Sequence, residues 1–224
     1  MLNYVFISPL GWSSQVWNKV ITKGKLNKED YTIIEFLDKP TEEINIQNID
    51  KIIEERITHL SHKGYIITSS YGTVTLLSYF YRKRNFFPNI IIIDGLNKVP
   101  SQDELFPFLK QEKTAYFTKK EYYDAMLSDS EKNDSKLLEI LDHNLIKING
   151  IYYPKLSPQN IFNYLSLYAD SNPISMLEDT IPYIDNLKIF SHIELEHQYE
   201  HIDEEKHLLM LKEPDTVLKS LRYK

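Results

Sequence analysis

The chain has 224 residues, enough for one sizeable α/β domain with a small insertion. Its 42% hydrophobic and 26% charged residues are typical of a globular protein, and the net charge of −6 argues against a nucleic-acid partner. The absence of cysteine excludes disulfides, thiolate metal sites and a cysteine nucleophile.

Short apolar runs rich in Ile, Val and Phe punctuate the chain. Continuous apolar runs, rather than strict alternation, are typical of parallel strands covered on both faces. In chain order they predict strands over residues 4–7, 31–36, 65–68, 89–93, 187–191 and 199–202.

Helical patterns lie between these strands. Residues 49–60 carry isoleucines at Ile49, Ile52, Ile53 and Ile57, a spacing that places them on one face of a helix. Further helices are predicted over 74–81 and 215–221. Strands that alternate with helices indicate an α/β fold, a mainly parallel doubly wound sheet with helices on both faces.

Residues 100–180 interrupt this rhythm, and we expect no strand there before Leu187. Helices are predicted over 120–127, 134–141 and 158–168, the last with Ser157 as its cap and Pro158 at its first position. An insertion this long exceeds an ordinary loop. The predicted organisation is a core of residues 1–98 and 185–224, with residues 99–184 forming a helical cap or lid.

The strand at 65–68 turns into a helix through a small-residue segment with Ser70 at its apex. Such a turn exposes a serine hydroxyl, and the residues two positions away on each side must be small. Those residues are Thr68 and Gly72. Ser70 is therefore the candidate nucleophile.

A serine needs a base to take its proton. His207 is the best candidate, because it follows the last predicted strand and so lies at the carboxyl edge of the sheet, where sites form. His192, His197 and His201 fall before or within that strand and are less favoured.

A carboxylate must orient the imidazole. We expect Glu194, which follows the strand at 187–191, to take this role. Asp94, Glu196 and Asp203 remain alternatives.

The oxyanion of the reaction needs backbone N–H donors. One donor is predicted from Tyr71, the residue after the nucleophile, and the other from the loop after the first strand. Leu10 is preferred there, since Pro9 has no N–H.

Together these features resemble the α/β-hydrolase family. The order Ser70, acid, His207 is that family's order. Residues 8–17 look like its oxyanion loop with Ser8-Pro9 replacing His-Gly, residues 68–72 like its nucleophile elbow with Thr68 replacing Gly, and residues 207–214 like its histidine loop.

The resemblance implies a serine hydrolase of the esterase or thioesterase type that acts through an acyl-enzyme. Its partner would be a small-molecule acyl ester or thioester, including one borne on a carrier, with no cofactor, metal, nucleic acid or membrane. An acyltransferase with the same triad and a non-catalytic binding protein are the alternatives. The segment has no signal peptide or membrane-spanning run, so a cytoplasmic location is expected. Cap aromatics that would line an acyl pocket are Phe106, Phe108, Tyr116, Phe117, Tyr122, Tyr123, Tyr152 and Tyr153.

Overall fold

The computed structural model describes residues 2–84, 87–111, 113–129, 131–203 and 208–221, with the backbone alone described at 87, 88 and 108–111. Six described strands form one parallel sheet: β1 Leu2–Leu10, β2 Tyr31–Phe36, β3 Leu60–Ser69, β4 Phe87–Ile93, β7 Ile184–Ser191 and β8 Glu200–His201. Their order in the sheet is β2-β1-β3-β4-β7-β8. Each predicted strand is therefore present.

Helices cover both faces of this sheet. Their bounds are α1 Asn18–Gly24, α2 Ile46–Ile57, α3 Tyr71–Lys83, α4 Gln102–Gln111, α5 Lys119–Met126, α6 Ser135–Asp142, α7 Pro158–Ser166, α8 Pro173–Thr180, α9 Leu209–Lys212 and α10 Pro214–Ser220. Residues of α2, α3, α7 and α8 belong to one buried apolar cluster, and residues of α1, α5, α6, α9 and α10 belong to the other. The predicted doubly wound architecture is confirmed.

The central strands divide their side chains between these two clusters. Ile90 and Ile92 of β4 enter one cluster, while Ile91 and Ile93 enter the other. All four are almost fully buried, which is why the run reads as continuously apolar in the sequence.

The helix after residue 157 begins as predicted. The side chain of Ser157 accepts a hydrogen bond from the N–H of Asn160, and Pro158 is the first helical residue. Asp38, which follows β2, accepts a hydrogen bond from the Ser157 N–H at 2.9 Å and another from the Asn160 side chain at 2.8 Å. These hydrogen bonds hold the start of α7 against the segment after β2.

The expectation that no strand precedes Leu187 is wrong. Residues Leu145–Ile148 (β5) and Ile151–Pro154 (β6) form an antiparallel hairpin, and β7 already begins at Ile184. Asn149 and Gly150 make the turn with φ of 50° and 86°. An Asn-Gly pair between alternating apolar residues is a strong hairpin signal, because both positions tolerate positive φ.

None of the described helices combines the length and the apolar character needed to cross a lipid bilayer.

Candidate active site

The carboxyl ends of the central strands lie side by side and bring the candidate residues to one edge. The N–H of Ser70 donates to the carbonyl of Ile93 at 3.1 Å, and the N–H of Asp94 donates to the carbonyl of Phe190 at 2.7 Å. The N–H of Ile202, the residue after β8, donates to the carbonyl of Ser191, the last residue of β7, at 3.0 Å. The turn at Ser70, the turn at Asp94 and the loops after β7 and β8 are therefore neighbours.

Ser70 has the backbone of a strained turn. Its φ is 52° and its ψ is −120°, and its carbonyl accepts hydrogen bonds from the N–H groups of Thr73 and Val74. A non-glycine residue held at positive φ costs on the order of 1–3 kcal/mol and is commonly found at functional sites. The side chain is partly exposed at the apex between β3 and α3.

Two glycines permit the backbones to approach at this turn. A Cβ on Gly72 would lie 2.7 Å from the carbonyl oxygen of Ile7 in β1. A Cβ on Gly95, whose φ is 85°, would lie 2.1 Å from the carbonyl oxygen of Ser70 itself. The turn after β4 therefore packs directly on the backbone of the candidate nucleophile.

Of the two predicted oxyanion donors, Tyr71 lies where the sequence suggests. It is the first residue of α3, and its N–H makes no hydrogen bond to another described residue, as expected at a helix start. Leu10 is instead the last residue of β1, paired with Phe36, and the N–H of Gly11 donates to the Phe36 carbonyl at 3.1 Å. The loop thus begins at Gly11, three residues later than predicted.

Two hydrogen bonds hold this loop in place. The Trp17 indole Nε1 donates to the buried Ser8 hydroxyl at 3.1 Å, and the N–H of Ser13 donates to Oδ1 of Asn144 at 3.1 Å. Asn144 directly precedes β5, so the residue before the hairpin helps to fix the loop next to the site.

The candidate acids differ sharply in environment. Glu194, Glu196 and Asp203 are exposed, whereas the Asp94 side chain is only 8% exposed. Oδ1 of Asp94 lies 2.9 Å from Nδ1 of His192, at ion-pair distance but without the alignment of a hydrogen bond.

His207, the predicted base, lies outside the described residues. The hydroxyl of Ser70 makes no hydrogen bond to a side chain in the described part of the chain. The structure instead reveals the contact between Asp94 and His192. This contact was not predicted, because His192 was less favoured than His207 as the base. The sequence did hold one signal for this contact, because Asp94 and His192 each directly follow a strand of the sheet.

A cavity of about 140 Å³ opens beside the loop after β1. Its residues come from the end of β1, from the loop after it and from residues 113–161: Leu10, Gly11, Trp12, Lys113, Tyr116, Tyr122, Met126, Asn144, Pro154, Leu156, Pro158 and Ile161.

Only part of the predicted aromatic set faces this cavity. The rings of Tyr116 and Tyr122 meet edge to face at 5.2 Å, and burial raises the pKa of Tyr122 to about 12, so its hydroxyl stays neutral. Phe106 and Phe117 are 52% and 74% exposed, and the Phe108 side chain lies outside the described set. The cavity is therefore mainly apolar, with Tyr116, Tyr122 and Asn144 as neutral polar residues and Lys113 as a charged one.

Within the described ranges, no three His, Asp or Glu side chains lie close enough together to bind a metal ion.

Structural comparison identifies the fold. No protein-family model matches this sequence, and no curated protein matches it. The structure resembles the thioesterase domain from the curacin biosynthetic pathway (TM-score 0.65, 10% identity, 98% of this chain and 90% of that one). It also resembles an esterase of M. tuberculosis, with a TM-score of 0.66 and 11% identity over 99% of this chain and 84% of that one. A third similar structure is a peroxisomal α/β-hydrolase of Saccharomyces cerevisiae, with a TM-score of 0.63 and 16% identity over 98% of this chain and 74% of that one.

The chain therefore has the α/β-hydrolase fold. At these identities the comparison establishes the fold and leaves the reaction to be argued from the site.

Proposed function

We propose that this protein is a serine hydrolase that cleaves an ester or thioester through an acyl-enzyme. The observation that carries the proposal is the strained turn at Ser70. It holds a partly exposed serine at positive φ beside the N–H of Tyr71, which has no partner among the described residues. Strain of this kind persists only where the surroundings enforce it, and here the glycine contacts do so. The neighbours of known activity, a thioesterase and an esterase among them, agree with this class.

Each catalytic group has one role in the proposed reaction. Oγ of Ser70 attacks the acyl carbon while a histidine takes its proton, and the C–O or C–S bond breaks as that proton passes to the leaving group. Water then attacks the acyl-enzyme, and its proton returns through the histidine to Ser70. The N–H of Tyr71 and that of Leu10, at the end of β1, stabilise the oxyanion in both steps. His207 is the proposed base, and Glu194 the proposed acid.

The cavity beside the loop after β1 is the proposed acyl site. Its apolar walls favour a hydrocarbon group, and Leu10, where the second oxyanion donor is predicted, is one of its lining residues. A volume of about 140 Å³ is close to the roughly 150 Å³ that accommodates benzene in an engineered protein cavity. The proposed substrates therefore carry short acyl groups.

A fluorophosphonate probe tests the nucleophile directly. We expect the wild type to be labelled and Ser70→Ala and His207→Ala to lose the label. Ser69→Ala is the matched control, because the Ser69 hydroxyl is buried and has no partner among the described residues, so its loss leaves no orphaned group. A wild type that no fluorophosphonate labels would refute the proposal and favour a non-catalytic binding protein.

Acyl transfer would use the same residues. Product analysis distinguishes it from hydrolysis: with a short thioester substrate, hydrolysis releases the free acid at the same rate whether or not an amine or alcohol acceptor is added. An acid yield that falls as the acceptor becomes acylated would instead assign the protein to the acyltransferases.

A further inference from the structure

A chain of buried hydroxyls connects the elbow strand to the turn after β4. Oγ1 of Thr73 donates to the carbonyl of Asp94 at 2.8 Å and lies 2.9 Å from Oγ1 of Thr68. A threonine hydroxyl has one proton, so Thr68 must be the donor to Thr73. All three residues are buried. Thr68 thus supplies a hydrogen bond from the position where the usual elbow carries glycine.

Asp94 continues this chain to the next loop. It is held at a φ of 57°, its N–H donates to Phe190 in β7, and its carboxylate lies 2.9 Å from His192. His192, 17% exposed, begins the loop that carries Glu194. A continuous series of contacts therefore runs from the strand before Ser70 to the loop with the predicted acid.

We propose that Thr73 and Asp94 are positioning residues that set the separation between the Ser70 turn and the acid-bearing loop. The inference rests on the proposed serine-hydrolase function. Neither residue is assigned a contact with substrate. Their effect passes through the backbone of the turn, because Gly95, the next residue after Asp94, packs on the Ser70 carbonyl.

The same helix offers a matched control. Thr75 is as deeply buried as Thr73, but its hydroxyl donates at 2.9 Å to the carbonyl of Gly72 within its own helix. Replacing either threonine with valine removes a buried hydroxyl from a nearly unchanged volume. A general loss of stability would affect both variants alike, whereas a positioning role affects Thr73→Val.

The experiment measures the rate of fluorophosphonate labelling and the kcat and KM for a short p-nitrophenyl ester. We expect Thr73→Val to lower the labelling rate and kcat at least about tenfold with KM nearly unchanged, since small misplacements of reacting groups can cost about a hundredfold. Thr73→Ser, which keeps the hydroxyl, should restore most of the rate. Thr75→Val should stay within about twofold of the wild type.

Asp94→Asn provides the second variant. This variant should also lower the labelling rate and kcat. The fold-loss of rate in the double variant with Thr73→Val should be smaller than the product of the two single fold-losses, because both substitutions interrupt the same series of contacts. If Thr73→Val does not fold, Asp94→Asn measured beside Thr73→Ser decides the question in the same way.

The outcomes separate the two claims. An unlabelled wild type overturns the hydrolase proposal and the positioning role with it. A labelled wild type whose Thr73→Val or Asp94→Asn form reacts at the normal rate, or whose Thr75→Val form is slowed equally, overturns the positioning role and leaves the hydrolase standing.

Discussion

Replacing Gly95 with alanine should distort the Ser70 turn from outside it. Gly95 has a φ of 85°, and a Cβ there would lie 2.1 Å from the Ser70 carbonyl oxygen. Holding an L-residue in the left-handed region costs about 1–2 kcal/mol. The steric conflict adds about 1–3 kcal/mol, the usual cost of overpacking. We therefore expect Gly95→Ala to lower the free energy of unfolding by about 2–5 kcal/mol and to abolish fluorophosphonate labelling.

Gly150→Ala isolates the steric part of that cost. Gly150 has nearly the same φ, 86°, but a Cβ there meets no atom within 4 Å. Its substitution should cost about 1–2 kcal/mol and leave labelling unchanged. Urea unfolding followed by fluorescence measures both variants, since the buried Trp17 reports on the core. Equal losses for the two variants, with normal labelling of Gly95→Ala, would refute the described packing of the turn.

Three further predictions concern the cavity, the buried tyrosines and the loop after β1. For p-nitrophenyl esters, kcat/KM should rise about fourfold per methylene up to roughly six acyl carbons and then fall, and Leu156→Ala should move the maximum to longer chains. The contribution of the buried tyrosines to the free energy of unfolding should stay constant up to about pH 10 and decrease toward pH 12. Burial raises the pKa of Tyr164 to about 12 and that of Tyr71 well above its usual value, so the folded state keeps protons that the unfolded chain releases. Tyr71→Phe should flatten that decrease, and an unchanged alkaline slope would contradict it. Asn144→Ala should cost about 1–3 kcal/mol in urea unfolding, because it leaves the buried N–H of Ser13 without its acceptor.

The sequence predicted the elements whose signal is local. The run of Ile90 to Ile93 shows a strand buried on both faces, and Ser157 with Pro158 shows a helix start, because each property depends on neighbouring residues. The hairpin was missed although its Asn149-Gly150 turn was visible. Its strand β5 exposes Ile146 and Ile148, so apolar content did not distinguish it from the surrounding helices.

The site depends on longer-range relations. Asp94 and His192 meet because β4 and β7 pair in a particular register, and nearly one hundred residues separate them in the chain. No local pattern encodes that register. Glu194 was preferred as the acid because it follows the strand before the last, but its position in the sequence carries no information on its exposure.

The contacts at Gly72 and Gly95 have a genetic consequence. In each case the opposing atom is a main-chain carbonyl oxygen, which every amino acid carries. A second mutation that shortens a neighbouring side chain therefore does not remove the steric clash. It would do so at a site where two side chains clash. A suppressor screen started from alanine at either position should recover restored glycine codons and few compensating changes elsewhere.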